Sequence, residues 1–344
     1  MVYWFMSLAF AYSSNLWLAG EARGLDIYFI DMVGGAATLI VTPMRESILV
    51  DCGQQLQRDA DRIHHVVHDV AGLSQIDHMV TTHWHLDHYG AVSLLKGRLA
   101  FKRFYDRGIP SEVPEDPKNF PRLIAAYKEA AGGRSVTMRA GDAIRLKQGG
   151  GPALTFRCLM ANGELADGAD AGRPNPHCNE HVEKKPDTSD NGKSLVTLLS
   201  FGKFEFLNPG DLTWNFEKKL VCPVNRVGRM DLFQVSHHGL AASSNPVFVH
   251  ALEPRVAVLC NGPTKGGHPD VVRTLRSSPG LADLWALHRN WKSAASDNAE
   301  RDRVANWDNR QGGEYIKVSV HRSGEAFTVQ IGEPGSPVRY DCRE

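Results

Sequence analysis

No two of the six cysteines (Cys52, Cys158, Cys178, Cys222, Cys260 and Cys342) stand at CxxC spacing, which argues against a zinc knuckle and a thioredoxin-type redox site. Six cysteines in 344 residues are also too dilute for a disulfide scaffold. Cys52, Cys158 and Cys260 lie in or beside apolar runs and are expected as buried thiols. A single bridge involving Cys178 or Cys222, from loop-like surroundings, fits an exported protein. Excess charge is absent too. Lys+Arg 39 balance Asp+Glu 39, so no long-range field favours nucleic acid, although a local basic patch would survive this balance. No repeat of fixed period and no dividing linker is visible.

With 42% hydrophobic and 23% charged residues, the chain has the composition of a globular protein able to bury a core, not of a disordered one. The apolar run from Met1 to Leu18 is interrupted by Ser13, Ser14 and Asn15, so no stable membrane span is expected. Followed by Ala19-Gly20-Glu21-Ala22, it reads as the h-region and cleavage site of a signal peptide, over an n-region lacking Lys and Arg. Residues 1–22 are therefore taken as a signal peptide and 23–344 as a single domain. The protein is then exported to a periplasmic or extracellular space, and cytoplasmic if the segment is not a signal.

Short β-like runs cover Leu25 to Ile30, Ala37 to Val41 and Ser47 to Val50, the last ending in Asp51-Cys52-Gly53. Three- and four-residue apolar steps predict a helix from Leu56 to Val70, with His64, His65 and His68 on its solvated face. A strand over Gln75 to Val80 delivers a histidine-rich loop, and a helix starts at Ala91. Further expectations are a helix over Leu123 to Ala131 and strands over Ala143 to Leu146, Ala153 to Leu159, Ser194 to Ser200 and Phe204 to Leu207. Asp231 to Val235 and Arg255 to Leu259 read as strands, whereas Leu284 to His288 with Trp291 reads as an amphipathic helix docked on the core. Asn162 to Gly192 has almost no apolar content, and a loop that long in a compact domain is functional or mobile.

His83-x-His85-x-Asp87-His88 packs four potential metal ligands into six residues at the carboxyl end of a strand. His83 and His85, two apart, can present both imidazoles to one ion; Asp87 and His88 are directed towards a second. The missing ligands should come from other strand ends. Asp211 has two oxygens to share between ions, and His237 or His238 can complete the second ion's ligands. Two such cations sharing a water would bring its pKa towards neutrality and polarise a carbonyl or phosphoryl oxygen. Hydrolysis by a bridging hydroxide, without a covalent protein nucleophile, is the chemistry this pattern predicts.

The His-x-His-x-Asp-His run resembles the signature of the metallo-β-lactamase-fold hydrolases, which implies an α/β fold built as a four-layer αββα sandwich with, in most members, two zinc ions. Asp190-Asn191-Gly192-Lys193-Ser194-Leu195, Pro209-Gly210-Asp211, Ser236-His237-His238-Gly239 and Gly267-His268-Pro269 resemble the branch holding the metal domain of the ComEC proteins and the phosphorylcholine esterases. The resemblance implies His83 and His85 on the first zinc, Asp87 and His88 on the second, and Asp211 bridging. His238 would complete the second ion, with His237 facing substrate or supporting leaving-group protonation; the opposite assignment stays open. Asp87 and His237 are the catalytic candidates and His268 a substrate contact. Where many members place another metal-binding histidine, this chain has Asp190-Asn191, so the first ion takes Asp190, Asn191, His177 or water. That departure also makes antibiotic hydrolysis a poor fit. Manganese or iron could replace zinc. The implied substrate is a phosphodiester or other anionic ester; alternatives are an ester or lactone, a non-catalytic binding protein, or a DNA-processing accessory.

Overall fold

In the first strand, Leu25, Ile27 and Phe29 enter one buried cluster while Tyr28 and the following Ile30 enter another, so both faces of the strand are covered. The computed structural model describes residues 23–166, 172–333 and 335–343. The signal-peptide reading of residues 1–22 lies outside them. In chain order the strands along the two large sheets are β1 (Leu25–Phe29), β2 (Thr38–Val41), β3 (Ser47–Val50), β4 (Gln75–Thr81), β5 (Ala100–Asp106), β6 (Ser135–Thr137), β7 (Ala143–Ile144) and β8 (Leu154–Ala161). There follow β9 (Val196–Phe201), β10 (Phe204–Asn208), β11 (Leu232–Gln234), β12 (Val256–Leu259), β13 (Asp283–His288), β14 (Val304–Asn306), β15 (Ile316–Val320), β16 (Ala326–Ile331) and β17 (Val338–Asp341). The helices are α1 (Gln57–His64), continued as a π-turn through His65–Val70, α2 (Leu86–Tyr89), α3 (Val92–Leu95), α4 (Phe120–Ala131), α5 (Trp214–Val221), α6 (Pro246–Leu252) and α7 (Pro269–Arg276).

One sheet runs β17-β16-β15-β1-β2-β3-β4-β5-β6, and the other β14-β13-β12-β11-β10-β9-β8-β7. Both are mixed. β3 to β6 are parallel in the first, and β10 to β14 in the second. Three apolar clusters separate four layers. Ile40, Val50, Val80, Leu199, Phe206 and Val258 fill the space between the sheets. Ala60, Ile63, Leu95 and Leu123 hold α1, α3 and α4 on the outer face of the first sheet, and Leu220, Phe248 and Leu275 hold α5 to α7 on the second. This is the expected αββα sandwich.

The helix expected over Leu284 to His288 is a strand instead. Leu284 and Ala286 face the helix-side cluster, and Trp285 and Leu287 face the inter-sheet cluster. A short apolar run buried on both faces has period two, but without polar residues between it cannot be told from a buried helix by pattern. Cys52, Cys158 and Cys260 are buried thiols, and Cys178 bridges Cys222.

Glu205 on β10 accepts a hydrogen bond from the Ser200 hydroxyl at 2.7 Å. Burial, with the charge of Asp231, pushes its carboxyl up to about 7. A carboxyl raised on folding contributes stability below its unfolded pKa that is lost as pH rises through the folded value. Urea unfolding should therefore show wild-type stability falling between pH 5 and 8, and Glu205→Gln falling less steeply. Identical pH slopes for the two proteins would contradict this. Part of the decline should remain in the variant, because burial also raises Glu217 to about 7.

Candidate metal centre

The parallel strands of both sheets deliver their carboxyl ends to one place, as α/β architecture requires of its sites. Asp51 follows β3, Thr82 to His88 follow β4, Asp211 follows β10, and His237 and His238 follow β11. The loops are laced to one another. Leu195 N–H donates to the Thr82 carbonyl at 2.9 Å, and His237 N–H to the Gly210 carbonyl at 3.1 Å. His237 and His238 both adopt left-handed backbone, φ 53° and 55°, and Asp51 has φ 61°. Such strain in consecutive non-glycine residues persists only where surrounding structure enforces it, and it clusters at functional sites.

Asp211 lies at the middle of the cluster. Its Oδ2 is 3.2 Å from His88 Nε2, 3.3 Å from His238 Nε2, 3.7 Å from His237 Nε2 and 4.0 Å from His83 Nε2. Asp87 Oδ2 lies 3.4 Å from His238 Nε2 and 3.8 Å from His88 Nε2. Two overlapping sets thus form, His83-His88-Asp211 and Asp87-His88-His238, each with donor atoms within 4.8 Å of one another. His85 stays beside them, its ring centroid 4.7 Å from that of His83, with Nε2 turned to Glu115 Oε1 at 2.9 Å. That bond leaves Nδ1 as the nitrogen His85 can offer.

The outer partners set the tautomers. His88 Nδ1 meets the buried Asp51 carboxylate at 2.8 Å, and His238 Nδ1 meets the Cys260 carbonyl at 2.9 Å. A carbonyl only accepts, so Nδ1 of His238 carries a proton and Nε2 is the nitrogen directed at the cluster; the carboxylate acts alike on His88. Among the described residues, Nε2 of His83, His88 and His238 are all buried without a hydrogen-bond partner. Three buried imidazole nitrogens that make no hydrogen bond, converging at ion-pair distance on two carboxylates, form the donor set that a borderline divalent cation takes.

The charge states agree. Burial works against ionisation of Asp87, but His88, His238 and Lys265 hold its carboxyl well below the ordinary range. Asp211 is held down in the same way by His238, His88 and His237. Burial, then the charge of His88, keeps His83 neutral. For His88 burial is outweighed by Asp211, Asp51 and Asp87, which raise it, and His238 is raised by Asp211. A bound cation would take the place of those protons.

The remaining expectations divide. Asp190 is drawn away from a ligand role: it accepts from Trp84 N–H at 2.6 Å and from the Arg107 guanidinium on both oxygens. His177 pairs with Glu180 at 3.0 Å and stacks edge-on with His250 instead of joining the cluster. Asn191 does reach the site, its amide nitrogen 3.4 Å from His237 Nε2. Burial pushes the His237 imidazole down to about 4, and its Nδ1 lies 3.2 Å from Ser243 Oγ. His268 caps α7, its Nδ1 accepting from Asp270 N–H at 3.3 Å. Trp84 is fully buried against Tyr89 and Tyr127, supporting the loop. Sequence reading missed Asp51, Arg107, Glu115 and Lys265, none of which carries a local spacing signal. A cleft of about 700 Å³ opens beside His237 and Asn191, lined also by Glu115, Lys184, Lys185, Asp187 and Trp214.

A profile of the Metallo-beta-lactamase superfamily matches residues 30–151. Over 257 residues the chain is 23% identical to ComE operon protein 3 of Bacillus subtilis (strain 168), covering 71% of this chain. It spans only 29% of that protein's length. Among solved structures it is similar to CmlA, a diiron β-hydroxylase from Streptomyces venezuelae, with TM-score 0.39 and 15% identity over 68% of this chain and 44% of that one. It is also similar to a metallo-β-lactamase from Hirschia baltica, with TM-score 0.31 and 14% identity over 56% of this chain and 68% of that one.

Proposed function

We propose that this metallo-β-lactamase-fold chain is a binuclear metal-dependent hydrolase acting on a phosphodiester or a related anionic ester. The observation that carries the reading is the convergence of the buried Nε2 atoms of His83, His88 and His238, none in a hydrogen bond, on Asp87 and Asp211. His83, His85 and Asp211 would hold one cation, and Asp87, His88, His238 and Asp211 the other. Zinc suits the imidazole-carboxylate set, and manganese or iron also accepts it. Bound there, the pair supplies an acidified water and Lewis acidity at the oxygen on which charge develops.

The chain's own residues do the rest. Asp51 and the Cys260 carbonyl fix the protons of His88 and His238 on Nδ1, which holds both rings in the liganding tautomer. Glu115 does the same for His85 through Nε2. His237, its imidazole pushed down to about 4 by burial, is neutral at pH 7 and presents Nε2 to the cleft beside Asn191. At the cleft Lys184, which donates to the Ala241 carbonyl at 2.6 Å over the Trp214 ring, and Lys185 bring positive charge for an anionic substrate beside the carboxylates of Asp187 and Glu115, which are hydrogen-bonded to Thr213 and His85. The Cys178–Cys222 bridge supports export, since disulfides persist in oxidising compartments. Among the described residues no helix is long and apolar enough to cross a membrane.

The test is hydrolysis of bis(p-nitrophenyl) phosphate by zinc- or manganese-loaded protein beside Asp87→Ala. Turnover that disappears in the variant is the expected result. Bound metal without turnover would overturn the phosphodiester assignment and leave acyl esters and lactones as the substrate class.

A further inference from the structure

Lys265 stands outside the ligand set, yet its ammonium reaches the centre: Nζ lies 2.5 Å from Asp87 Oδ2. The loop that carries it is fixed on the histidine loop. Gly267 N–H donates to the His238 carbonyl at 2.9 Å, His268 N–H to the Gly239 carbonyl at 2.8 Å, and Gly262 N–H closes onto the Lys265 carbonyl at 2.8 Å. Asn290 Nδ2 donates to the Gly266 carbonyl at 3.0 Å. Gly266, at φ +79°, lies so close that a Cβ there would stand 2.1 Å from the His238 carbonyl oxygen. The lysine stem runs over Gly34, where a Cβ would come within 3.3 Å of Lys265 Cβ and Cδ. Anchor and stem are therefore set by backbone contacts, and the ammonium is aimed over the cluster, with the side chain 41% exposed at the mouth.

The pair with Asp87 does not account for this construction. A partly exposed ion pair contributes little to stability, about 0 to 1 kcal/mol. Among the described residues Asp87 is the one acid that Lys265 pairs with, and the imidazoles of His237 and His238 also feel its charge. Resting on the binuclear reading, a cation held by Asp87 takes up that carboxylate's charge and leaves the ammonium without a counter-ion. Its charge then faces whatever anion lies over the centre. We propose that Lys265 recognises the substrate's phosphoryl anion, its ammonium donating to a non-bridging oxygen, and so gives the site its preference for a phosphate diester over a neutral ester.

The experiment compares metal-loaded wild type, Lys265→Met and Lys265→Arg, measuring metal content and calorimetric binding of inorganic phosphate for each. Loss of a charge-assisted hydrogen bond should weaken phosphate binding in Lys265→Met about tenfold, with metal content as in wild type and binding largely restored in Lys265→Arg. In bis(p-nitrophenyl) phosphate kinetics the same loss should fall on KM more than on kcat. Wild-type phosphate affinity in a fully loaded Lys265→Met would overturn the assignment while leaving the binuclear centre intact. Loss of metal in that variant would overturn it too, since Lys265 would then act in building the centre. If wild type itself holds no metal, the binuclear reading fails, and the role of Lys265 fails with it.

Discussion

In Asp211→Ala, turnover should drop by on the order of a thousandfold or more, because the lost carboxylate serves every part of a unit that works together. Its Oδ2 is within 4.0 Å of Nε2 on His83, His88, His237 and His238, and no other acid in the cluster meets all four. Without it, buried imidazoles face one another with only Asp87 among them. The metal content should fall below two per chain, and the protein should remain folded, since the two sheets do not depend on this side chain. Metal analysis with circular dichroism, beside the kinetics, checks the three statements together. An Asp211→Ala protein that keeps full metal and wild-type turnover would remove Asp211 from the centre.

The second large effect is structural. Arg107 and Asp190 form an ion pair whose side chains are 5% and 2% exposed. Asp190 also receives the Trp84 N–H, in the middle of the ligand loop, and its own N–H donates to Glu115 at 2.6 Å. Glu115 in turn holds His85. Asp190→Ala strands a buried guanidinium, a change that costs about 3 to 5 kcal/mol. It also unpins the loop, so metal affinity should fall about 10- to 100-fold, as for other residues that support ligands. Denaturant unfolding and metal titration measure the two losses separately. A fall below 1 kcal/mol with unchanged metal affinity would show that the pair does not hold the loop.

Legibility in the sequence followed distance along the chain. His83, His85, Asp87 and His88 announce themselves because their spacing is local, and Asp211 and the His237-His238 pair because each ends an apolar run. The partners that orient them leave no such trace. His88 finds Asp51 37 residues away, Arg107 finds Asp190 83 away, and Asp87 meets Lys265 178 away, all by folding and without any fixed offset. Asp190-Asn191 shows the same limit. Its place before a strand was visible, but only the fold shows Asp190 taken by Arg107 and Asn191 left beside His237. Among elements, β5, β6, β14, the β15–β16–β17 meander and the helices α2 and α5 to α7 escaped the sequence reading, and β13 was taken for a helix. Position in the sandwich, not local pattern, decides what those segments become. The four layers themselves came from the resemblance to the metallo-β-lactamase-fold hydrolases, and they stand as expected.

The most direct measurement is the metal content of the wild-type chain, by inductively coupled plasma mass spectrometry after loading with zinc or manganese and removal of free ions. Two tightly held ions per chain, both lost when Asp87 and Asp211 are replaced together, is the predicted result. No ion, or one ion untouched by that double replacement, would contradict a binuclear centre built on these residues.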